Sequence, residues 1–76
     1  DMDPILELCK KYNLELIEDC AQSHGALYKG KMTGTFGIGA FSFYPTKNLG
    51  ALGDAGGIAL QDEKLYQKLK AWRNYG

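Results

Sequence analysis

Lys47 follows an apolar, aromatic run, Ala40-Phe41-Ser42-Phe43-Tyr44, and opens onto Asn48-Leu49-Gly50-Ala51-Leu52-Gly53-Asp54-Ala55-Gly56-Gly57. A strand that delivers a lysine into a glycine-rich loop presents one amine where backbone can approach a ligand closely. Such an amine can form a Schiff base with a carbonyl, and the glycines leave room for a bulky group beside it. Asp19, 28 residues earlier, closes a second apolar stretch. Ligands of open α/β sheets bind beyond the carboxyl ends of the strands, so both side chains can face one crevice. Taken singly, an aspartate there is often only a loop cap and a lysine is usually solvated. The pair is the specific signal.

An amine and a carboxylate across one crevice suit pyridoxal phosphate. The amine holds the cofactor aldehyde as an imine, is displaced by a substrate amine, and then moves a proton as general acid and base. The carboxylate keeps the pyridine nitrogen protonated, which makes the ring a better electron sink. Ser42, five residues before Lys47, can donate its hydroxyl to a phosphate, or equally bond to local backbone. Gln22 can donate an amide hydrogen to the ring oxygen, although glutamines in loops are commonly just exposed. His24 is the single histidine, and no cysteine or histidine cluster at ligand spacing accompanies it, so no metal is expected. A Cys20/His24 dyad is disfavoured, since both residues project from one short loop. The glycines at 50, 53, 56 and 57 are not followed by Gly-Lys-Ser/Thr, and Gly37-Ile38-Gly39 has no third glycine three residues on. Neither nucleotide-loop pattern is met.

These residues need elements to hold them. Asp3-Pro4 reads as a helix start, with an acceptor at the cap and proline where its missing N–H is harmless. Ile5, Leu8, Cys9 and Tyr12 recur at helical spacing, and Asn13 suits a left-handed terminator. Leu14 to Glu18 reads as a short strand with Leu16 and Ile17 as core candidates. Residues 19–39 read as loop, with a small hairpin over Tyr28-Lys29-Gly30-Lys31-Met32. Ala40–Tyr44 and Gly57–Gln61 read as buried strands. Asp62 caps a last helix in which Leu65, Leu69 and Trp72 share a stripe, ending near Gly76. The alternation predicts an α/β fold with a mostly parallel sheet flanked by helices. About twelve residues without helical character separate Tyr44 from Gly57. A parallel crossover usually needs a helix, so the last strand is expected to run antiparallel.

At 76 residues the chain is at most one domain. A chain this short buries only roughly 60% of its unfolded surface. Nine acidic and nine basic side chains cancel, which gives no electrostatic case for nucleic acid or an anionic membrane. Cys9 and Cys20 are too few for a disulfide scaffold and are expected as free thiols, favouring the cytoplasm. No apolar run reaches the roughly 20 residues of a membrane helix. Both chain ends are expected to be cuts within a longer protein, and exposed sheet edges to promote self-association.

Two long motifs, Ile17-Glu18-Asp19-Cys20-Ala21-Gln22-Ser23-His24-Gly25-Ala26 and Phe41-Ser42-Phe43-Tyr44-Pro45-Thr46-Lys47-Asn48-Leu49-Gly50, closely resemble the DegT/DnrJ-type nucleotide-sugar aminotransferases. The likeness extends through Tyr28-Lys29-Gly30 to Arg73-Asn74-Tyr75-Gly76. It implies part of the large, cofactor-binding domain of a fold-type I pyridoxal phosphate enzyme (residues 1–76), lacking the rest of that domain and the small C-terminal domain. By the same resemblance Lys47 carries the internal aldimine, Asp19 pairs with the pyridine nitrogen, and Gln22 and Ser42 contact the ring oxygen and the phosphate. The family moves an amino group, usually from glutamate, onto a nucleotide-linked keto-sugar. It works as a homodimer in cell-envelope and amino-sugar biosynthesis. Dehydratase relatives carry histidine in place of the lysine, so Lys47 favours transamination. The family commonly reads Gly-Asp-Gly-Gly where this chain has Gly53-Asp54-Ala55-Gly56-Gly57, a change expected to be tolerated. The 76 residues alone are expected to be inactive. A regulatory relative that keeps the fold, or a small anion-binding α/β module, are the alternatives.

Overall fold

A computed structural model of the chain describes residues 1–74; the expected helix end near Gly76, with Tyr75, lies outside the described residues. The first helix, α1, spans Met2–Tyr12. Its start precedes the expected Asp3-Pro4 cap, because Asp1 takes the cap position without a side-chain bond. Pro4 still costs nothing, since the first four helical N–H groups have no partner within the helix. Asn13 terminates α1 with φ 53° and ψ 51°, and Leu14 N–H donates back to Cys9 O at 2.8 Å. This left-handed closure is the one the sequence predicts.

Four short strands and one longer one follow. They are β1 (Ile17–Asp19), β2 (Leu27–Tyr28), β3 (Lys31–Met32), β4 (Ile38–Ser42) and β5 (Gly56–Ala59). Helix α2, Glu63–Arg73, completes the order, with the Asp62 carboxylate accepting from Leu65 N–H at 3.1 Å as anticipated. β2 and β3 form the expected hairpin. The main sheet has the order β1-β4-β5. β1 pairs parallel with β4, and β5 returns antiparallel to β4, so this part of the sheet is mixed. The short 43–55 connection cannot return the chain for a parallel strand, which is why the last pair inverts.

Three sequence expectations shift. β1 begins at Ile17 rather than Leu14, and Ile17, expected in the core, is 70% exposed because neither helix packs closely on the sheet. β4 and β5 both begin earlier than expected. Phe43 leaves the β4 ladder to bond with the following loop, donating to Ala55 O and accepting from Ala51 N–H, each at 2.8 Å. Trp72 is exposed, while Leu65 and Leu69 of the predicted stripe are half-buried.

The hairpin is tied to α1 through charge. The Lys29 ammonium pairs with the Asp3 carboxylate, and Asp3 N–H donates to Tyr28 Oη at 3.4 Å. The Lys29 hydrogen bond lowers the Asp3 carboxyl below its ordinary value, and Asp3 raises Lys29 above its own. Asp3's contribution is therefore present above its unfolded pKa and lost as pH falls through the depressed folded value. That of Lys29 is full below its unfolded pKa and is lost as pH rises through the raised one. Both groups are exposed, so salt weakens the tie.

The turn before β4 is packed against β1 at backbone distance. A Cβ on Gly37 would lie 2.4 Å from Leu16 O and 2.8 Å from Leu16 Cβ. Neither atom is a flexible side-chain tip. Gly37→Ala is therefore expected to destabilise the full-length protein by about 1–3 kcal/mol, as overpacking does. Denaturant unfolding monitored by circular dichroism measures it, and an unchanged midpoint would contradict this packing.

Candidate active site

Parallel pairing decides which side chains meet. In register, Ile17 faces Ile38, Glu18 faces Gly39 and Asp19 faces Ala40. Side chains alternate along a strand, so Asp19, Ala40 and Ser42 share one face, while Glu18, Gly39 and Phe41 share the other. Because β1 and β4 run the same way, Asp19 and Ser42 also end their strands at the same edge of the sheet. Ideal strand spacings put their Cα atoms about 8 Å apart.

The chain immediately beyond each end is tightly folded. Asp19 is exposed, and its Oδ1 accepts from Ala21 N–H at 3.1 Å, turning the backbone through Cys20 into the segment that carries Gln22. Gln22 is exposed in that turn. Ser42 Oγ accepts from Tyr44 N–H at 3.3 Å, leaving its own hydrogen free to donate elsewhere. Lys47 N–H closes a turn onto Tyr44 O at 2.9 Å, and Ala51 N–H returns to Phe43 O. The loop fits only because residue 50 is glycine: a Cβ there would sit 2.4 Å from Pro45 O. Lys47 is thus held, half-buried, in a closed loop off the end of β4. Ala55, in the stretch expected to tolerate a change, is exposed and contributes its carbonyl to Phe43 N–H.

The opposite face supports this edge. Cys20 is completely buried, with Sγ 3.4 Å from Thr33 Oγ1, which lies 3.2 Å from Ser23 Oγ. The His24 ring packs at 5.6 Å from both Phe41 and Phe43, and those two rings stack at 6.4 Å. Both His24 nitrogens are buried without a partner among the described residues. His24 here is packing, and Cys20 pairs with a hydroxyl.

Sequence reasoning missed Glu18. Its carboxylate accepts from Gly34 N–H at 2.9 Å, Phe36 N–H at 3.0 Å and Gly37 N–H at 2.9 Å. The one hint in the sequence was a charge within a short apolar strand, which needs donors; that backbone amides of the 34–37 turn supply them is visible only in the fold. Two clefts lie elsewhere. One of about 580 Å³, lined by Glu15, Ile38, Leu60 and Asp62, opens at the start of β4, the other end of the sheet from Asp19. A second, of about 500 Å³, separates β5 from α2. Neither is lined by Asp19, Gln22, Ser42 or Lys47. The strand-end rule favours the edge over the clefts as the site.

The sequence pattern of the DegT/DnrJ/EryC1/StrS aminotransferase family matches residues 1–76. The chain belongs to that family. It is 58% identical to the dTDP-3-amino-3,6-dideoxy-alpha-D-galactopyranose transaminase of Aneurinibacillus thermoaerophilus, over 100% of this chain and 21% of that protein. It is 51% identical to the UDP-N-acetyl-3-dehydro-alpha-D-glucosamine 3-aminotransferase of Acidithiobacillus ferrooxidans, again over 100% of this chain and 21% of that protein. Among solved structures, it superposes with a TM-score of 0.94 on the Streptomyces venezuelae protein DesV in complex with a ketimine intermediate. That match has 47% identity and covers 100% of this chain and 21% of that one. The fold is accordingly that of the fold-type I aminotransferases, and the chain spans about a fifth of the length of the relatives it matches.

Replacing His24 tests its reading as packing. His24→Phe in the full-length protein keeps the ring contacts and removes two unpartnered nitrogens, so stability should rise by about 1–3 kcal/mol. Thermal unfolding measures it. A lowered melting temperature would show that the imidazole has a hydrogen-bond partner.

Proposed function

We propose that the protein carrying this chain is a pyridoxal phosphate-dependent aminotransferase acting on a nucleotide-linked keto-sugar, with glutamate as amino donor. The observation that supports this most is the parallel β1–β4 pair, with Asp19 and Ser42 on one face at one edge and the Lys47 loop directly beyond. A carboxylate, a hydroxyl with a free hydrogen and an amine in that order match the donor set such a cofactor needs. Family relatives named as transaminases of dTDP- and UDP-linked sugars support the substrate class.

In this reading the Lys47 amine would hold the cofactor and would move a proton at the substrate carbon. The Asp19 carboxylate would accept a hydrogen bond from the ring N–H and keep that proton in place. Ser42 would donate to the phosphate and Gln22 to the ring oxygen. The cofactor, when bound, supplies the electron sink for the carbanion that forms during amino transfer. No metal ion is assigned a role. Residues 1–76 constitute part of the large domain, the active protein is a homodimer, and it works in the cytoplasm. No helix among the described residues is long and apolar enough to cross a membrane.

Absorption spectroscopy on the full-length protein with pyridoxal phosphate tests the assignment. A visible band of lysine-bound cofactor is expected, bleached by glutamate and restored by a keto-sugar nucleotide. Lys47→Ala should remove the band and lower turnover by about 10²–10⁴-fold or more. A band that survives Lys47→Ala contradicts the role of the lysine. A band that glutamate leaves unchanged contradicts amino transfer and favours a regulatory relative.

A further inference from the structure

The register that brings Asp19 to Ser42 is weakly specified by the strands themselves. β1 has only three residues, and on the face that carries Asp19 burial does not fix its register, because Ile17 is 70% exposed. On the other face the buried side chain is Cys20, just past the strand, so within β1 itself the Glu18 carboxylate is what that face can hold by. A one-residue slip would turn Asp19 to the other face. A two-residue slip would keep the faces but move the strand ends apart by about 6.6 Å.

We infer that Glu18 is a positioning residue for the site: its carboxylate locks β4 to β1 from the face opposite Asp19, and so sets Asp19 against Ser42 and the Lys47 loop. Three backbone N–H groups, from Gly34, Phe36 and Gly37, converge on its two oxygens at 2.9–3.0 Å. These donors lie in the turn that immediately precedes Ile38, the first residue of β4. A grip there is a grip on the start of that strand. Neither slipped register leaves the carboxylate beneath the same donors. The lock works with Ile38 N–H donating to Leu16 O at 2.9 Å, and the Phe41 ring crowds Gly34 from above. At the site end, just past Asp19, Cys20 N–H donates across to Ala40 O at 2.8 Å, and this bond between the two strands reports whether the register holds. The assignment rests on the proposed function for what the site binds, but not for the geometry.

Glu18→Gln and Glu18→Ala in the full-length protein test it, read by backbone amide exchange and by pyridoxal phosphate affinity well below the unfolding temperature. Glutamine keeps one acceptor oxygen and turns an NH₂ toward N–H donors, while circular dichroism verifies folding. The amides of Gly34, Phe36 and Gly37 should exchange about tenfold faster or more, the scale of one charge-assisted hydrogen bond. The Cys20 amide, which never touches Glu18, should accelerate as well, and the cofactor dissociation constant should rise about tenfold, more for alanine than for glutamine. Loop amides released with Cys20 still protected would overturn the proposal, leaving Glu18 as a loop staple. Cofactor affinity within about twofold of the unsubstituted protein would overturn it too. Fast exchange of the three loop amides in the unsubstituted protein overturns it with no variant at all. If exchange at Cys20 responds but no form of the protein binds pyridoxal phosphate, the positioning role stands and the cofactor reading fails.

Discussion

The parallel register between β1 and β4 is the constraint on which the rest of this structure depends. It is carried by few atoms. Two ladder bonds flank the pair, Ile38 N–H to Leu16 O and Cys20 N–H to Ala40 O, and the Glu18 carboxylate gathers three more donors beneath it. A charged acceptor bonded to three N–H groups is worth more per contact than neutral bonds, and its loss strands a part-buried charge. Everything at the candidate edge follows from that register: which face Asp19 occupies, where Ser42 ends its strand, and where the Lys47 loop begins.

The two faces of this pair divide the labour. One carries Asp19, Ala40 and Ser42 and is left open. The other carries Glu18, Gly39 and Phe41, and there the chain spends its packing: the Cys20–Thr33–Ser23 contacts, the Phe41–Phe43 stack with His24 against it, and the turn at 34–37. Alternation along three residues of β1 thus separates a carboxylate engaged by backbone from the one proposed to meet the cofactor. Adjacent residues of like charge point in opposite directions and meet opposite fates, Glu18 fully engaged and Asp19 holding one local bond.

Much of this was legible in the sequence. The caps at Asn13 and Asp62, the hairpin at 27–32 and the antiparallel return of β5 all follow from local chemistry or connection length, and the structure has each. The motif around Asp19 and Lys47 identified the family that the whole chain matches. Strand limits were less legible. Phe43 and Tyr44 look like strand because they are aromatic, but the loop from 45 to 55 claims the Phe43 backbone. Ile17 looks like core, yet no helix lies over it here. Burial depends on what the chain packs against, which residue type alone does not state. Glu18 escaped notice because its partners are backbone amides sixteen to nineteen residues away, and backbone donors leave no side-chain signature.

On the proposed reading, one edge of the sheet grips both ends of a single aromatic cofactor. The most direct measurement is a crystal structure of the full-length protein with pyridoxal phosphate bound. An Asp19 carboxylate oxygen is expected about 2.7–3.2 Å from the ring nitrogen, with Lys47 Nζ bonded to the cofactor's aldehyde carbon. A cofactor seated on the Glu18 face, or one whose ring nitrogen turns away from Asp19, would contradict it.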